Sequence, residues 1–424
     1  MKKNNWLFTV IFILVVFMLF MGLSRILTNK TSEYRKAEFF NAETDFDALF
    51  FGASRIREAV DPIYLWKNYG ISSYNMASAG ESIQMTYYVL AEALRKSTPK
   101  VVFIDSAKIS DEPDSIDSGY GFVHESIDAL PINKNKLEAI DYAGRFFDGG
   151  RLAFLSMMYA YHDRYEELDK DDFVMKPNYD KGAYIMTTVL GADKPVHLTD
   201  EAEDLKGGDG VRYYQRILDL CNSKGIKCVL VDIPVSKKMY SEDRQRKLNA
   251  LIKMTRENGG ETIAFNELID EIGLDYDHCF GDRGHMNFLG SEKICDHLAG
   301  YMMDLGIRDH RDDPAYSISW NEDVIKWSDR KVEDLSERTD AVDYMFWAAD
   351  DDHKITLYIK DMDDLYDQYA MDFCLEKLGI EPIEADEKIL GGYDMNIEVR
   401  DKNGVFLAEQ FFKYNFSSGL FTVE

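Results

Sequence analysis

Three polar residues of this chain have the types and the chain order that nucleophilic catalysis requires. Ser54 ends the run DALFFGAS, and Asp282 and His285 lie three positions apart in the segment YDHCFGDRGHMNFLGSEK. A histidine can take the proton of a serine hydroxyl, and an aspartate on the other ring nitrogen fixes the imidazole tautomer and stabilises the imidazolium. Serine hydrolases use the order Ser, Asp, His. These residues predict a serine acyl enzyme that works through a covalent acyl-enzyme.

Each of these residues also has a simpler interpretation. A serine that follows a strand and opens a helix is a good N-cap, and a single Asp-x-x-His pair is a weak signal. The segment around His285 also contains five residues of types that bind metals: Asp277, His278, Cys279, Asp282 and His285. Zinc needs three or four converging ligands, and the spacing of these residues fits neither a zinc finger nor the HExxH motif. We predict no metal and no cofactor, because the GAS turn also lacks GxGxxG and GxxxxGK.

The elements that must position these residues alternate between strands and helices. The predicted strands are DALFF, SYNMA, KVVFID, IKCVLVDIP and ETIAFN, and amphipathic segments between them predict helices. This alternation indicates an α/β fold with a parallel sheet, which an insertion at about 109–212 interrupts. Open α/β sheets bind ligands beyond the carboxyl ends of their strands. We therefore expect Ser54, Asp282 and His285 to meet at that edge, where helix N-terminal N–H groups could stabilise an oxyanion.

The N-terminus carries an apolar segment that is long enough to cross a membrane. The stretch from Trp6 to Leu23 has no charged residue, and a helix of that length reaches roughly 27 Å. A cleaved signal peptide is the alternative, but the apolar region exceeds the usual signal core. We predict an uncleaved anchor over 1–28 and a polar stalk over 29–44. Basic residues flank the segment on both sides, so they do not fix its orientation.

Three blocks of the sequence resemble the SGNH (GDSL-like) hydrolase superfamily. They are the strand-GAS-helix block, NMASAGES and DRGHMNFLGSEK, and the resemblance spans roughly residues 45–305 without the insertion. It implies a flavodoxin-like sheet with Ser54 as the nucleophile, His285 as the general base and Asp282 as its orienting carboxylate. It also implies that the backbone N–H groups of Ser54 and Gly80 form the oxyanion hole.

One position departs from the superfamily pattern. The oxyanion asparagine of the superfamily should follow the third strand, where the segment FIDSAKIS offers Asp105 and Ser106 instead. In having an anchor and in lacking this asparagine, the chain resembles a narrower group of proteins. These are the membrane-tethered SGNH proteins that accompany membrane-bound O-acyltransferases in bacterial cell-surface modification. That group includes alginate acetylation proteins and the lipoteichoic acid D-alanylation protein.

The narrower resemblance has implications for location and partners. It implies a single-pass cell-membrane protein whose main body is extracellular. It also implies acyl transfer to or from a cell-surface polysaccharide or teichoic acid, with an acyl donor and a membrane-bound O-acyltransferase as further partners. The alternative is a non-catalytic tethered scaffold or glycan-binding partner, which the missing asparagine favours. All three triad positions are filled, which a scaffold would not need.

The C-terminal part of the chain changes character. Residues 311–424 hold 28 of the 76 acidic residues of a chain whose net charge is −27. The runs KITLYIKD and YDMNIEVRDKNGVFLAEQFFKY predict strands, and NG between alternating apolar runs is a hairpin signal. We predict an acidic β-rich domain over 311–424, after the SGNH-like domain over 45–310. The acidic charge argues against nucleic acid as a partner.

Overall fold

The N-terminal part of the protein is helical. The structure is a computed structural model that describes residues 3–28, 30–155, 157–168, 170–173, 177–415 and 417–423. It begins with helices α1 (Lys3–Leu27) and α2 (Lys30–Asn41). Within α1, 22 residues from Trp6 to Leu27 have a mean hydropathy of 2.8. This helix is therefore long and apolar enough to cross a membrane, as an anchor requires.

Helix α2 lies in the region predicted as a stalk, and it packs against the body. Phe39 is fully buried. Nζ of Lys36 lies 2.9 Å from the Glu81 carboxylate in a buried ion pair, and it also donates to the Ser126 carbonyl oxygen. The segment between the anchor and the first strand is thus folded onto the domain.

A five-stranded parallel sheet forms the centre of the body. Its strands are β1 (Ala48–Phe51), β2 (Ser73–Asn75), β3 (Val101–Asp105), β4 (Lys227–Asp232) and β5 (Glu261–Ala264). Their spatial order is β2-β1-β3-β4-β5, and all neighbours are parallel. This is the strand order of flavodoxin-like doubly wound folds, so the α/β class predicted from the sequence is confirmed.

Helices cover both faces of this sheet. The helices of the body are α3 (Ser54–Ala59), α4 (Pro62–Tyr69), α5 (Ile83–Lys96), α6 (Tyr120–Ile127), α7 (Lys134–Ala143), α8 (Arg151–Leu155), α9 (Met157–Tyr161), α10 (Asp209–Lys224), α11 (Glu242–Glu257) and α12 (Phe288–Asp304), of which α6 to α9 lie in the insertion. Alternate residues of β1 enter different cores, since Ala48 and Phe50 pack with α3 and α12, while Leu49 and Phe51 pack with α5 and α10. A strand buried on both faces explains the continuous apolar run of β1.

A second sheet lies in the C-terminal region. Its strands are β6 (His353–Ile359), β7 (Ile383–Glu384), β8 (Met395–Asp401), β9 (Phe406–Asn415) and β10 (Leu420–Thr422), in the order β10-β9-β8-β6-β7. The hairpin expected at the NG pair joins β8 to β9. The region also contains α13 (Pro314–Asp334), α14 (Ala341–Ala348), α15 (Met371–Leu378) and α16 (Glu387–Leu390). Phe346 of α14 packs against Phe288 of α12, so this region shares an apolar core with the body.

Candidate active site

Ser54 lies directly beyond the carboxyl end of β1, as the first residue of α3. Two residues earlier, Gly52 has a φ of 138°, and a Cβ on it would lie 2.5 Å from Cβ of Asp105. Glycine is the residue that tolerates this conformation and this close approach. The N-cap of α3 is Ala53 and not Ser54. The glycine of GAS therefore lets the chain turn sharply and leaves the Ser54 hydroxyl free for other contacts.

Asp282 and His285 lie on a tight loop just before α12. Phe280 and Met286 form an antiparallel bridge across its base, and the Gly281 N–H donates to the His285 carbonyl oxygen at 3.0 Å. The fully buried Asn287 caps α12, and its amide donates to the carbonyl oxygens of Thr188, His278 and Phe280. One buried side chain thus ties the loop to the helix and to a neighbouring segment.

The structure brings all three predicted residues together in one chain of hydrogen bonds. Oγ of Ser54 lies 2.8 Å from Nε2 of His285. Nδ1 of His285 lies 2.8 Å from Oδ2 and 3.0 Å from Oδ1 of Asp282. Because Nδ1 faces a carboxylate, it carries the ring proton, and Nε2 can accept the proton of the serine hydroxyl.

The electrostatics of Asp282 suit an orienting carboxylate. Burial acts to raise its pKa, but the hydrogen bonds from the His285 ring and from the backbone N–H groups of Gly284 and His285 outweigh burial and lower the pKa. An aspartate that stays ionised can hold the Nδ1–H and stabilise a positively charged ring. Its side chain is 48% exposed and that of His285 is 29% exposed, so the pair lies at an open edge.

The two predicted oxyanion donors lie on neighbouring segments. The Ser54 N–H belongs to the first turn of α3, where backbone N–H groups have no acceptor within the helix. Gly80, with a φ of 54°, follows β2, and the Ser78 N–H donates to the Gly52 carbonyl oxygen at 3.2 Å. A Cβ on Gly80 would lie 2.5 Å from the Phe122 ring. The turn that carries Gly80 is thus held beside the turn that carries Ser54.

The two residues at the position of the missing asparagine are engaged elsewhere. The Ser106 hydroxyl donates to Asp232 at 2.6 Å, and Oδ1 of Asp105 accepts from the Ala107 N–H at 3.1 Å. Oδ2 of Asp105 is buried without a partner among the described residues, and burial raises the pKa of this carboxyl to about 6. When ionised, Asp105 has no proton to donate, so this strand end offers no equivalent of the amide donor.

A cluster of opposite charges near the turn that carries Ser54 was not predicted from the sequence. Arg244 lies 2.8 Å from one oxygen of Asp232, and the Asn266 amide donates to the other at 2.7 Å. Burial alone would raise the pKa of Asp232, but Arg244, the Ser106 hydroxyl and Arg55 together lower it. This cluster links the carboxyl end of β4 to α11 and to the turn after β5.

Glu58 is a further residue of the site that the sequence analysis did not identify. Its Oε2 lies 3.6 Å from Nδ1 of His285, on the ring nitrogen that also faces Asp282. Its side chain is 5% exposed. The sequence feature that could have identified Glu58 is its spacing from Ser54. Glu58 follows Ser54 by four residues, and a helix places residues four apart on one face.

Two further residues of the segment that clusters metal-ligand types, His278 and Cys279, have other contacts. Nδ1 of His278 lies 2.6 Å from Asp275, and its ring stacks on Phe373 at 3.9 Å between centroids. Cys279 is buried, and burial raises its pKa to about 11. Among the described residues, no group of three or more ligand-type side chains is arranged to hold a metal ion.

Comparison with known proteins does not identify this chain. Neither a protein-family model nor a curated relative matches it. The functional assignment therefore depends on the geometry at the carboxyl edge of the sheet.

Proposed function

We propose that the protein is a membrane-anchored, extracellular serine acyl esterase or O-acyltransferase with an SGNH-type site. The observation that carries this proposal is the hydrogen-bonded chain from Ser54 Oγ through His285 to Asp282, with 2.8 Å at each step. Two distant segments of the sequence supply its members, and both lie where open α/β sheets bind ligands.

In the proposed mechanism, Ser54 attacks the carbonyl carbon of an acyl donor while His285 takes its proton. The tetrahedral oxyanion is stabilised by the N–H groups of Ser54 and Gly80. His285 then protonates the leaving alcohol, and the acyl group remains on Ser54 as an ester. Water or a sugar hydroxyl, deprotonated by His285, attacks this ester and regenerates the serine.

The acceptor proposed is a bacterial cell-surface glycan or teichoic acid. The support is the combination of an apolar N-terminal helix with a site whose histidine and aspartate remain partly exposed at an open edge. A polymer can reach such a site, and an anchored enzyme stays near the envelope. The resemblance of the motif blocks to membrane-tethered SGNH proteins adds a membrane-bound O-acyltransferase as the proposed partner.

A second candidate function is a non-catalytic tethered scaffold or glycan-binding partner. The observation that favours it is the third strand end, where the Ser106 hydroxyl is committed to Asp232 and no amide donor follows. A site with fewer oxyanion donors loses catalytic power, since one such donor contributes about 10²–10³ in kcat.

Turnover of p-nitrophenyl acetate by the full-length protein in detergent separates the two candidates. The proposal predicts turnover that Ser54→Ala abolishes. Addition of a soluble glycan acceptor then distinguishes transfer from hydrolysis, because transfer yields acetylated glycan at the expense of free acetate. Equal background rates for the wild type and Ser54→Ala with acetyl and longer acyl donors would favour the scaffold.

A further inference from the structure

We propose that Glu58 is a second orienting carboxylate for His285, so that the site is a tetrad of Ser54, His285, Asp282 and Glu58. This inference rests on the proposed function, because it gives Glu58 a part in the proton transfer from Ser54. Glu58 is a positioning residue in this scheme, since it acts through His285 and does not touch the reacting atoms.

Helix α3 presents both Ser54 and Glu58 to the same imidazole ring. The two residues are four apart on the helix and share a face. Ser54 Oγ lies 2.8 Å from Nε2, and Glu58 Oε2 lies 3.6 Å from Nδ1. One turn of helix therefore faces both nitrogens of His285, whereas Asp282 reaches Nδ1 from the loop before α12.

The hydrogen bonding of Glu58 leaves one oxygen for His285. Oε1 accepts from Arg57 at 3.2 Å, while Oε2 is buried and has no hydrogen-bond partner among the described residues. A buried carboxylate oxygen without a donor is costly, and the nearest ring nitrogen is Nδ1. A small tilt of the imidazole ring would shorten this distance to a hydrogen bond, so Nδ1–H can be shared between two carboxylates.

The charged groups around Glu58 make its contribution depend on pH. Burial raises the pKa of Glu58, the positive charges of His285 and Arg57 oppose that rise, and Asp282 adds to it. Arg57 is itself paired with Glu125. Because the pKa of Asp282 is lowered, Asp282 ionises first as pH rises. Glu58 ionises at a higher pH than Asp282, so its interaction with the Nδ1–H of His285 becomes stronger as pH rises.

The test compares Asp282→Asn with Asp282→Asn/Glu58→Gln in the full-length protein. Removing the aspartate from a triad without a second carboxylate costs about 10⁴ in kcat. We expect Asp282→Asn alone to retain kcat/KM for p-nitrophenyl acetate within about 10² of the wild type, and the double variant to show the full loss. The part of the Asp282→Asn rate that Glu58→Gln removes should grow with pH, because burial raises the pKa of Glu58. Glu125→Gln is the matched control, because it removes the charge that pairs with Arg57, keeps an oxygen that can accept from the Ala79 N–H, and does not contact His285.

A second readout does not depend on turnover. In ¹⁵N-histidine spectra, with the His285 signals assigned through His285→Gln, Asp282→Asn should keep the proton on Nδ1 and the double variant should lose that preference. Equal tautomers and equal rates in the two variants would overturn the inference. A Glu58-dependent tautomer in a protein without turnover would support the positioning role and contradict the proposed function.

Discussion

At the scale of single residues, the proposed site depends on the contacts of His285 with both Ser54 and Asp282. His285→Gln removes the proton acceptor for Ser54, so we expect kcat/KM for an acyl ester to fall by at least about 10³. The partly exposed side chain contributes little packing, and the melting temperature should change by no more than about 2 °C.

His278→Gln is the matched control for this substitution. His278 lies in the same part of the chain, but its ring nitrogen bonds Asp275 and not Ser54. It should leave kcat/KM within a few-fold of the wild type. If the two glutamine variants lost the same activity, general loop disturbance would explain the effect, and His285 would not be the general base.

Residue types in the sequence predicted part of this site and missed the rest. The carboxyl-edge rule predicted the meeting of Ser54 with the Asp282–His285 loop, because it depends only on strand direction. Glu58 was missed because a glutamate in a predicted helix is usually solvated, and only the packing of α12 against α3 turns it toward His285. Three-dimensional packing, and not residue type, decides such contacts.

At the scale of elements, the turn between β1 and α3 fixes the position of Ser54. Gly52→Ala would force a Cβ against Asp105 at a φ of 138°. We expect it to cost about 2–3 kcal/mol of unfolding free energy, and to reduce ester turnover because Ser54 moves with the turn. Thermal unfolding and turnover of the full-length variant in detergent measure both effects.

Gly225→Ala supplies the control for the backbone strain. Gly225 has a φ of 68°, and an added Cβ would meet nothing within 4 Å. We expect a cost of about 1 kcal/mol and unchanged turnover. A similar loss in both variants would mean that the close approach to Asp105 does not matter for the site.

The boundaries of helices and strands were predictable where the spacing of apolar residues was regular. The predicted strand KVVFID contains β3, and the amphipathic segment that precedes it along the chain forms α5. Helix α13 was missed although Asp313 caps it and Pro314 occupies its first turn, a known start signal. The acidic composition and the strand patterns farther along the chain predict a β-rich domain. The region also contains helices, and the apolar residues of α14 are buried in the core that it shares with the body.

At the scale of the whole molecule, the docking of α2 onto the body predicts a pH dependence of stability. Burial raises the pKa of Glu38 to about 7, with Asp180 adding to the rise. A carboxyl with a raised pKa in the folded state favours folding fully below its ordinary pKa and loses that contribution as pH rises toward about 7. Ionisation of Glu38 therefore weakens the folded protein above neutral pH.

Glu38→Gln removes this penalty and keeps an acceptor for the Tyr179 N–H. We expect its stabilising effect to grow by on the order of 2 kcal/mol between about pH 5.5 and pH 8.5. The measurement is thermal unfolding at both values. Glu43→Gln, at an exposed position nearby, should show no such growth. A pH-independent difference for Glu38→Gln would contradict the assignment.

The N-terminal helix predicts stable attachment to a membrane. If α1 is an uncleaved anchor, the protein should stay in the membrane fraction after an alkaline carbonate wash, and the mass of the purified chain should include residues 1–28. Protease added to intact cells should digest the body if it is extracellular. A mature chain that begins near residue 25 would instead indicate a cleaved signal peptide.

The most direct test of the central claim is the mass of the full-length protein during reaction with p-nitrophenyl acetate. A covalent mechanism predicts a single acetyl adduct that maps to the peptide containing Ser54, is absent from Ser54→Ala and does not accumulate in His285→Gln. An acetyl group on another residue, or equal labelling of the wild type and Ser54→Ala, would show that Ser54 is not the nucleophile.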